Sequence, residues 1–212
     1  MSENIIEFVN ISKRFGGVVA LENVSFSVKR GEIHALVGEN GAGKSTLINL
    51  CGGVHAKDEG KIIFKGEEIQ RVSTQHSKDL GISIVYQEFP LCNHLSVAEN
   101  IFLSPHPRNK LGIVDRRHMV RRTWELFDTL GVDIDPAATV ASLSVGQQQM
   151  VEICKALSLE AELIIMDEPT SALTQRETEH LFDVTRRLKE RGITVIYVSH
   201  RLREVFEICD RI

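Results

Sequence analysis

The chain has 212 residues with a formal net charge of −4, and 42% of its residues are hydrophobic. These proportions are those of an ordinary soluble globular protein, and the length suits one large domain or two small ones. The negative balance argues against nucleic acid as a partner, and no apolar run reaches the roughly 18 residues of a membrane span. The start of the chain lacks the basic and apolar segments of a signal peptide. Its scattered cysteines are expected to be buried free thiols in a reducing cytosol: Cys51, Cys92, Cys154 and Cys209.

The first part of the chain predicts an antiparallel pair of strands. Residues 5–11 and 24–28 alternate between apolar and polar side chains, and Phe15-Gly16-Gly17 between them is a turn. Such a pair ahead of the next motif would place Phe15 beside a ligand, where its ring could stack on adenine. The alternative is that Phe15 fills the core, as a lone aromatic side chain usually does.

The segment Gly38–Ser45 fits the phosphate-binding pattern G-x-x-x-x-G-K-[ST] at all four fixed positions. A buried strand at 33–37 precedes it and a helix beginning near Thr46 follows it. The glycines allow several backbone N–H groups to surround one anion, and the start of the helix adds a partial positive charge. Lys44 would then reach the outer phosphates and the Ser45 hydroxyl would bind Mg²⁺. A glycine-rich turn that binds nothing is the alternative.

The next segment predicts a turn at 58–60, strands at 61–64 and 82–85, and Gln87 at the end of the second of them. The carboxyl ends of strands in open α/β sheets face the ligand. The amide oxygen of Gln87 could therefore contact Mg²⁺ or an attacking water, although a glutamine in a surface loop is the alternative.

The middle of the chain predicts a short helix at 95–103 and a longer one at 115–130. Asp115 would cap the longer helix, whose apolar stripe contains Val120, Thr123, Phe127 and Leu130 and is widened by Trp124. The opposite side carries arginines that either contact an acidic partner or anionic lipid or simply face solvent: Arg116, Arg117, Arg121 and Arg122.

Ser144 begins a further predicted helix, with Gln147 three residues later as in a capping box. Because Gly146 permits a close backbone approach, the free N–H groups at this helix start could receive an anion. An ordinary helix start is the alternative.

Two more buried strands end in polar side chains. The strand at 163–167 ends in Asp167 and Glu168, and the strand at 194–199 is followed directly by His200. Asp167 can hold Mg²⁺, and Glu168 can polarise a water in line with a terminal phosphate. His200 can donate a hydrogen bond to that phosphate or orient Glu168. Mere termination of the strands at the surface is the alternative.

Together these motifs resemble the ATP-binding domain of ABC transporters, and the likeness extends over the whole chain. Gly38–Ser45 resembles the family's phosphate loop, Gln87 its Q-loop glutamine and Leu143–Gln147 its signature motif. Residues 163–168 resemble the Walker B strand, with Glu168 as the catalytic carboxylate, residues 171–174 the D-loop, and His200 the switch histidine. Phe15 falls where the family places an aromatic residue against adenine.

The resemblance implies an α/β P-loop NTPase of the RecA-like type. It has a mixed sheet, an antiparallel β subdomain and an inserted helical signature subdomain. Residues 1–212 would form one such domain, with a core at 1–88 and 160–212, a helical part at about 89–159, and further segments missing after Ile212. The residues expected to hold ATP are Phe15, Gly38, Glu39, Asn40, Gly41, Ala42, Gly43, Lys44, Ser45 and Thr46.

Two such domains would pair head to tail, so that Ser144, Gly146 and Gln147 serve the nucleotide of a partner. The metal ligands implied are Ser45, Gln87 and Asp167, and the catalytic residues are Glu168, His200 and Gln87. The signature region is similar to that of the first ATPase copy in bacterial importers of ribose and galactose.

Two positions depart from the family's usual pattern. Val145 stands where the signature usually has its first glycine, and its side chain leaves a ligand less room to approach the backbone there. Thr174 stands where the D-loop usually has aspartate, so contacts across a pair of domains would differ.

The expected function is ATP hydrolysis, with ATP and Mg²⁺, that powers the import of a monosaccharide. Transmembrane permease subunits and a second nucleotide-binding domain would be partners, with a sugar-binding protein outside the membrane as an indirect one. The chain would lie at the cytoplasmic face of the plasma membrane. The alternatives are an importer for another small solute, a non-transport ABC ATPase of DNA repair or translation, and a regulatory nucleotide-binding module without turnover.

Overall fold

The computed structural model describes residues 3–70, 72–104, 106–108 and 112–212. The chain forms two compact units. The first consists of Met1–Ile84, Ala161–Glu168 and Leu188–Ile212, and the second of Val85–Glu160 and Pro169–Arg187. The domain boundaries expected from the sequence, at 88/89 and 159/160, stay a prediction. Within the described residues, no helix combines the length and the apolar character needed to cross a membrane.

Strands and helices alternate along much of the chain, as expected for an α/β fold. In chain order they are β1 (Asn4–Phe15), β2 (Val18–Lys29), β3 (Ile33–Val37), α1 (Lys44–Cys51), β4 (Glu59–Phe64), β5 (Glu67–Glu68), α2 (Thr74–Leu80), β6 (Ile82–Val85), α3 (Val97–Ile101), α4 (Arg116–Leu130), α5 (Val145–Ser158), β7 (Leu163–Asp167), α6 (Gln175–Glu190), β8 (Thr194–Ser199) and α7 (Leu202–Ile208). A short 3₁₀ helix, Val140–Ser142, precedes α5.

One sheet of the first unit has the order β2-β1-β4-β5 with antiparallel neighbours. The predicted hairpin is confirmed, but its strands are longer than the alternating segments, and Phe15 pairs with Val18 next to the turn. The turn predicted at 58–60 is wrong in part, because Glu59 pairs with Ser12 and β4 begins there. Pairing between polar residues extends these strands beyond the apolar alternation.

The second sheet has the order β3-β8-β7-β6, and β8 runs parallel to both of its neighbours. Its register pairs Val37 with Ser199 and Asp167 with Val198, so these three strands end at one edge. The predicted strands at 33–37, 163–167 and 194–199 are confirmed, and every residue of β8 is buried. Burial on both faces explains their continuous apolar sequence.

The core of the first unit forms between the two sheets and α1. Buried side chains from α1, such as Leu47 and Leu50, join a cluster with Ile6 and Phe8 of β1 and Ile165 of β7. The helix that follows the glycine-rich loop is therefore anchored by apolar packing, which fixes the position of its first turn.

The second unit is helical, and α4 confirms the expected capping by Asp115, whose side chain accepts a hydrogen bond from the His118 N–H at 2.9 Å. Its buried stripe contains Thr123, Phe127 and Leu130, as predicted, together with Met119. The placement of Trp124 in that stripe is wrong, and Val120, which belongs to the predicted stripe too, is only half-buried.

Trp124 is 42% exposed and borders a surface cavity together with Val120, Arg116, Arg117 and Arg121. The arginines and the tryptophan therefore share one surface, because helices α3 and α5 pack on the other side of α4. The expectation of buried cysteines is also wrong for Cys92, which is exposed, whereas Cys51 and Cys154 are buried.

The two aromatic residues of α4 predict different energetic roles. Phe127 is fully buried and Trp124 is largely exposed, although their rings touch edge to face at 6.3 Å. Phe127→Ala should lower the free energy of unfolding by about 3–5 kcal/mol. Trp124→Ala should lower it by less than about 1.5 kcal/mol.

Urea unfolding followed by circular dichroism measures both variants, since Trp124 is the only tryptophan and its removal abolishes the fluorescence signal. Equal losses in the two variants would contradict this assignment of the buried face.

Candidate functional site

The glycine-rich loop passes directly into α1 through Gly43, which caps the helix with a left-handed backbone at φ 91°. Because glycine has no side chain, no capping side chain occupies the N–H groups at this helix start. The first turn of α1 also contains no acidic residue. The backbone N–H groups at the start of an α-helix have no partner inside the helix. This helix start therefore offers N–H donors and a partial positive charge to an anion.

The side chain of Lys44 folds back over the loop. Its ammonium donates hydrogen bonds to the carbonyl oxygens of Gly38 at 2.6 Å and Glu39 at 3.0 Å. The tip of the loop lies open, since Glu39, Asn40, Gly41, Ala42 and Ser45 are exposed and Thr46 is half-buried. The loop thus presents a cation, a hydroxyl and the N–H groups of a helix start within one short, accessible segment.

Two carboxylates stand at the same edge of the sheet, at the end of β7. Burial raises the pKa of Asp167, and the neighbouring charge of Glu168 raises it further. The Lys44 ammonium acts in the opposite direction and lowers the pKa of Asp167. A cation in this position would relieve the cost of the buried charge.

Glu168 has a left-handed backbone with φ 46°, which is uncommon for a residue other than glycine. Its N–H donates to the carbonyl oxygen of Val198 at 3.0 Å, so β8 holds the chain in this turn. Such local strain, of about 1–2 kcal/mol, persists where the surrounding structure imposes it and is concentrated at functional sites.

His200 lies beside Glu168, with 3.2 Å between its Nδ1 atom and Oε1 of the carboxylate. A carboxylate without a proton only accepts hydrogen bonds, so such a bond between these two groups requires the proton of the imidazole on Nδ1. The imidazole ring is largely exposed, whereas the Glu168 side chain is mostly covered. The histidine thereby fixes the direction of the carboxylate, and about half of the imidazole side chain stays exposed.

Phe15 lies at the surface of the first unit and is 42% exposed. Its ring meets His55 edge to face at 5.1 Å, and the Lys13 ammonium lies 5.2 Å from its centroid. A core position for Phe15, one of the two interpretations of the sequence, is therefore wrong. An exposed aromatic ring that is positioned by such contacts is available for stacking.

The remaining predicted residues lie in the second unit. Gln87 follows β6 and is exposed. At the start of α5 the expected capping box is confirmed: the Gln147 N–H donates to Ser144 Oγ at 3.2 Å, and the Ser144 N–H donates to Gln147 Oε1 at 3.0 Å. Gly146 is buried. The proposed contacts of these residues with a nucleotide stay predictions.

Sequence reasoning missed Glu177 in α6. Its carboxylate accepts hydrogen bonds from Ser144 Oγ at 2.9 Å and from the Gly146 N–H at 3.3 Å. A detectable signal is the spacing Thr174-x-x-Glu177, which is that of a capping box. That signal predicts the helix start but not the contact with α5, which joins residues far apart in the sequence.

The oxygen donors of the first unit fit Mg²⁺ better than a softer metal. The described part of the chain contains no group of three or more His, Cys, Asp or Glu residues arranged for a metal. The Ser45 hydroxyl and the Asp167 carboxylate are hard oxygen ligands, and Mg²⁺ is commonly held by one or two such groups together with phosphates and water.

Comparisons with known proteins agree with these features. A family model described as ABC transporter matches residues 21–171. The xylose import ATP-binding protein of Thermoanaerobacter pseudethanolicus is 52% identical over 100% of this chain and 42% of its own length. A ribose import ATP-binding protein of Rubrobacter xylanophilus is 50% identical over 98% of this chain and likewise 42% of its own length.

Among solved structures, the ADP conformation of MJ1267, an ATP-binding cassette of an ABC transporter, superposes with a TM-score of 0.86. The two sequences are 30% identical, and the match covers 99% of this chain and 86% of the cassette. The chain therefore spans about two fifths of the length of its curated relatives but most of a solved cassette.

Two glycines of the loop separate the cost of backbone strain from the cost of crowding. Gly41 and Gly43 both have positive φ, at 87° and 91°. A Cβ atom on Gly41 would meet nothing within 4 Å, whereas one on Gly43 would lie 2.5 Å from the carbonyl oxygen of Ala20. Gly41→Ala should lower the free energy of unfolding by about 1–2 kcal/mol. Gly43→Ala should lower it by about 2 kcal/mol more, because the loop must also move away from Ala20.

Denaturant unfolding of the two variants in parallel measures the difference. Similar losses in both variants would contradict the close packing of the loop against β2.

Proposed function

Since the chain belongs to the ABC transporter family, we propose that it binds ATP and Mg²⁺ and hydrolyses ATP to power the import of a monosaccharide. The observation that carries this proposal lies in the first unit. Three strands end at one edge of the parallel sheet, and the groups proposed to carry the chemistry lie there. The glycine-rich loop follows β3, Asp167 and Glu168 stand at the end of β7, and His200 follows β8.

The loop and α1 bind the phosphates. The backbone N–H groups of residues 41 and 43–46 surround them, and Lys44 turns its ammonium from the loop carbonyls toward the outer phosphates. Phe15 provides the aromatic surface for adenine. The exposure of its ring and its support by His55 favour this role.

Ser45 and Asp167 would hold Mg²⁺, with Gln87 as the third candidate ligand. When bound, the ion neutralises charge on the phosphates. The raised pKa of Asp167 fits this assignment. Burial makes the charged form of this carboxylate unfavourable, and a nearby cation would stabilise that form.

Glu168 accepts a proton from the water that attacks the terminal phosphorus atom, while the bond from that phosphorus to the bridging oxygen of ADP breaks. His200 keeps the carboxylate aligned through the 3.2 Å contact. Most of the rate enhancement in such a reaction comes from positioning and charge stabilisation.

The start of α5 supplies the second half of a site in another copy. Ser144, Gly146 and Gln147 lie in the second unit, and Val145 beside them is 40% exposed. We place the nucleotide of a partner domain against this helix start, as the family resemblance implies. Each site then needs two domains.

The transport role rests on the relatives, which are named as import ATP-binding proteins for xylose and for ribose. Because these relatives are named for different sugars, the proposal specifies a monosaccharide and no particular sugar. Permease subunits in the membrane are the proposed direct partners, at the cytoplasmic face, and a sugar-binding protein on the other side is an indirect partner. Nucleic acid is not among the proposed partners.

Glu168→Gln should keep ATP binding and lower turnover by about a hundredfold or more, because the amide cannot accept the proton. Glu190→Gln removes the same charge from the exposed last residue of α6 and serves as the matched control. ATP binding and phosphate release by the purified protein, and uptake of labelled ribose, galactose or xylose by cells carrying each variant, measure the effect. Turnover by Glu168→Gln close to that of Glu190→Gln would refute the role of Glu168. ATP turnover without uptake of any of the three sugars would support the proposed ATP hydrolysis and contradict the proposed transport substrate.

Two inactive variants should restore each other's activity when mixed if each site is built from two chains. Lys44→Ala removes the phosphate-binding cation, and Ser144→Glu places a negative charge at the start of α5. A mixture of the two contains pairs in which one site combines an intact loop with an intact helix start. Phosphate release should therefore recover in the mixture and rise with protein concentration. An absence of recovery in pairs that do assemble would contradict a shared site.

A further inference from the structure

Glu177 places a carboxylate at the N-terminus of α5. Its Oε1 atom lies 2.9 Å from Ser144 Oγ and 3.3 Å from the Gly146 nitrogen, and both groups donate to it. A helix N-terminus stabilises a negative charge, and this one is approached by a residue from α6. The same two donors are those proposed above for the phosphate of a partner's nucleotide.

Two other backbone donors of this helix start are already paired. The Ser144 N–H and the Gln147 N–H are engaged in the capping box. A serine hydroxyl has a single proton, and in Ser144 it is directed to Glu177. A phosphate can accept from Ser144 Oγ or from the Gly146 N–H only after the carboxylate gives up these hydrogen bonds.

The second oxygen of Glu177 is held independently of α5. Oε2 accepts from the Thr174 N–H at 3.0 Å and from Thr174 Oγ1 at 2.8 Å, which caps the start of α6. Thr174 stands where the family resemblance leads one to expect aspartate, and the capping box gives that departure a structural role. Glu177 can therefore release α5 while keeping its contact with Thr174.

The negative charge of Glu177 is stabilised by its hydrogen-bond donors. Hydrogen bonds from the backbone and side chain of Thr174, and then from Ser144, hold its pKa below the ordinary value for glutamate. The carboxylate is thus ionised at neutral pH and repels a second anion at the same helix start.

Space for a displaced carboxylate is present in the second unit. A cavity of about 510 Å³ borders Glu177 and the start of α5. Its lining includes the guanidinium of Arg176, which can receive the released oxygen, together with three further carboxylates: Asp133, Glu179 and Asp183.

We propose that Glu177 is an internal competitor for phosphate at the start of α5, and that ATP bound by a partner domain must displace it to complete the shared site. Glu177 thereby sets the ATP concentration at which the site closes. This inference rests on the proposed function, and it identifies Glu177 as a positioning residue rather than a catalytic one.

Glu177→Gln tests the competition while preserving the capping box, in which glutamine also serves at this position. The neutral amide binds the helix start less strongly and does not repel phosphate. The concentration of ATP for half-maximal hydrolysis should fall about tenfold, the equivalent of about 1.4 kcal/mol, with kcat changed less than about twofold. Glu179→Gln is the matched control, since it removes the same charge from α6 but its side chain bonds to Gln175.

A second measurement follows ATP-driven association of chains that also carry Glu168→Gln, by light scattering. The midpoint ATP concentration should again be lower for Glu177→Gln than for Glu179→Gln. Equal midpoints in the two variants, or a higher one for Glu177→Gln, would overturn the competition. Thermal unfolding identifies a variant that fails to fold, and Glu177→Ala then takes its place with the same expected shift.

The two proposals fail in different ways. If the unmodified chain neither binds nor hydrolyses ATP, the proposed function falls and the competition falls with it. If the unmodified chain binds, associates and hydrolyses normally but Glu177→Gln shows no shift, only the competition is refuted.

Discussion

The parallel pairing of β3, β8 and β7 is the constraint on which the site depends. Its register ends the three strands level with one another, next to the residues proposed to carry the chemistry. The glycine-rich loop leaves β3, Glu168 follows β7 and His200 follows β8. Because these strands are buried on both faces, their side chains cannot shift register without exposing apolar surface. Apolar packing of the sheet therefore fixes polar groups that are far apart in the sequence.

The two helix starts used by the proposed mechanism are prepared in opposite ways. That of α1 has no side-chain cap and no acid in its first turn, so its donors are available. That of α5 is capped by its own serine and glutamine and is contacted by Glu177. An open helix start binds an anion at little cost, whereas an occupied one requires exchange. In the proposed mechanism the first unit therefore binds the phosphates, and the second contributes donors that must first be released by Glu177.

Much of this arrangement could be predicted from local sequence. The buried strands were recognisable as short apolar runs, and the capping box at Ser144 and the loop pattern at Gly38–Ser45 depend on fixed spacings. Trp124 was assigned to the wrong face, because the covered side of an amphipathic helix depends on which helices pack against it. Glu177 was missed for a similar reason: its contact with Ser144 spans 33 residues and no periodic pattern records it. Local spacing predicts elements, and tertiary proximity decides which of their polar groups meet.

Paramagnetic broadening by Mn²⁺ would test most directly whether the sheet edge holds one metal and one triphosphate. The chain with Glu168→Gln, given ATP and Mn²⁺ in place of Mg²⁺, should lose the amide NMR signals of Ser45, Thr46 and Asp167 together. The amide of Gly66, in the turn between β4 and β5, should stay visible. Broadening of the loop amides without that of Asp167, or broadening of neither, would contradict the convergence of these groups on a single metal–nucleotide complex.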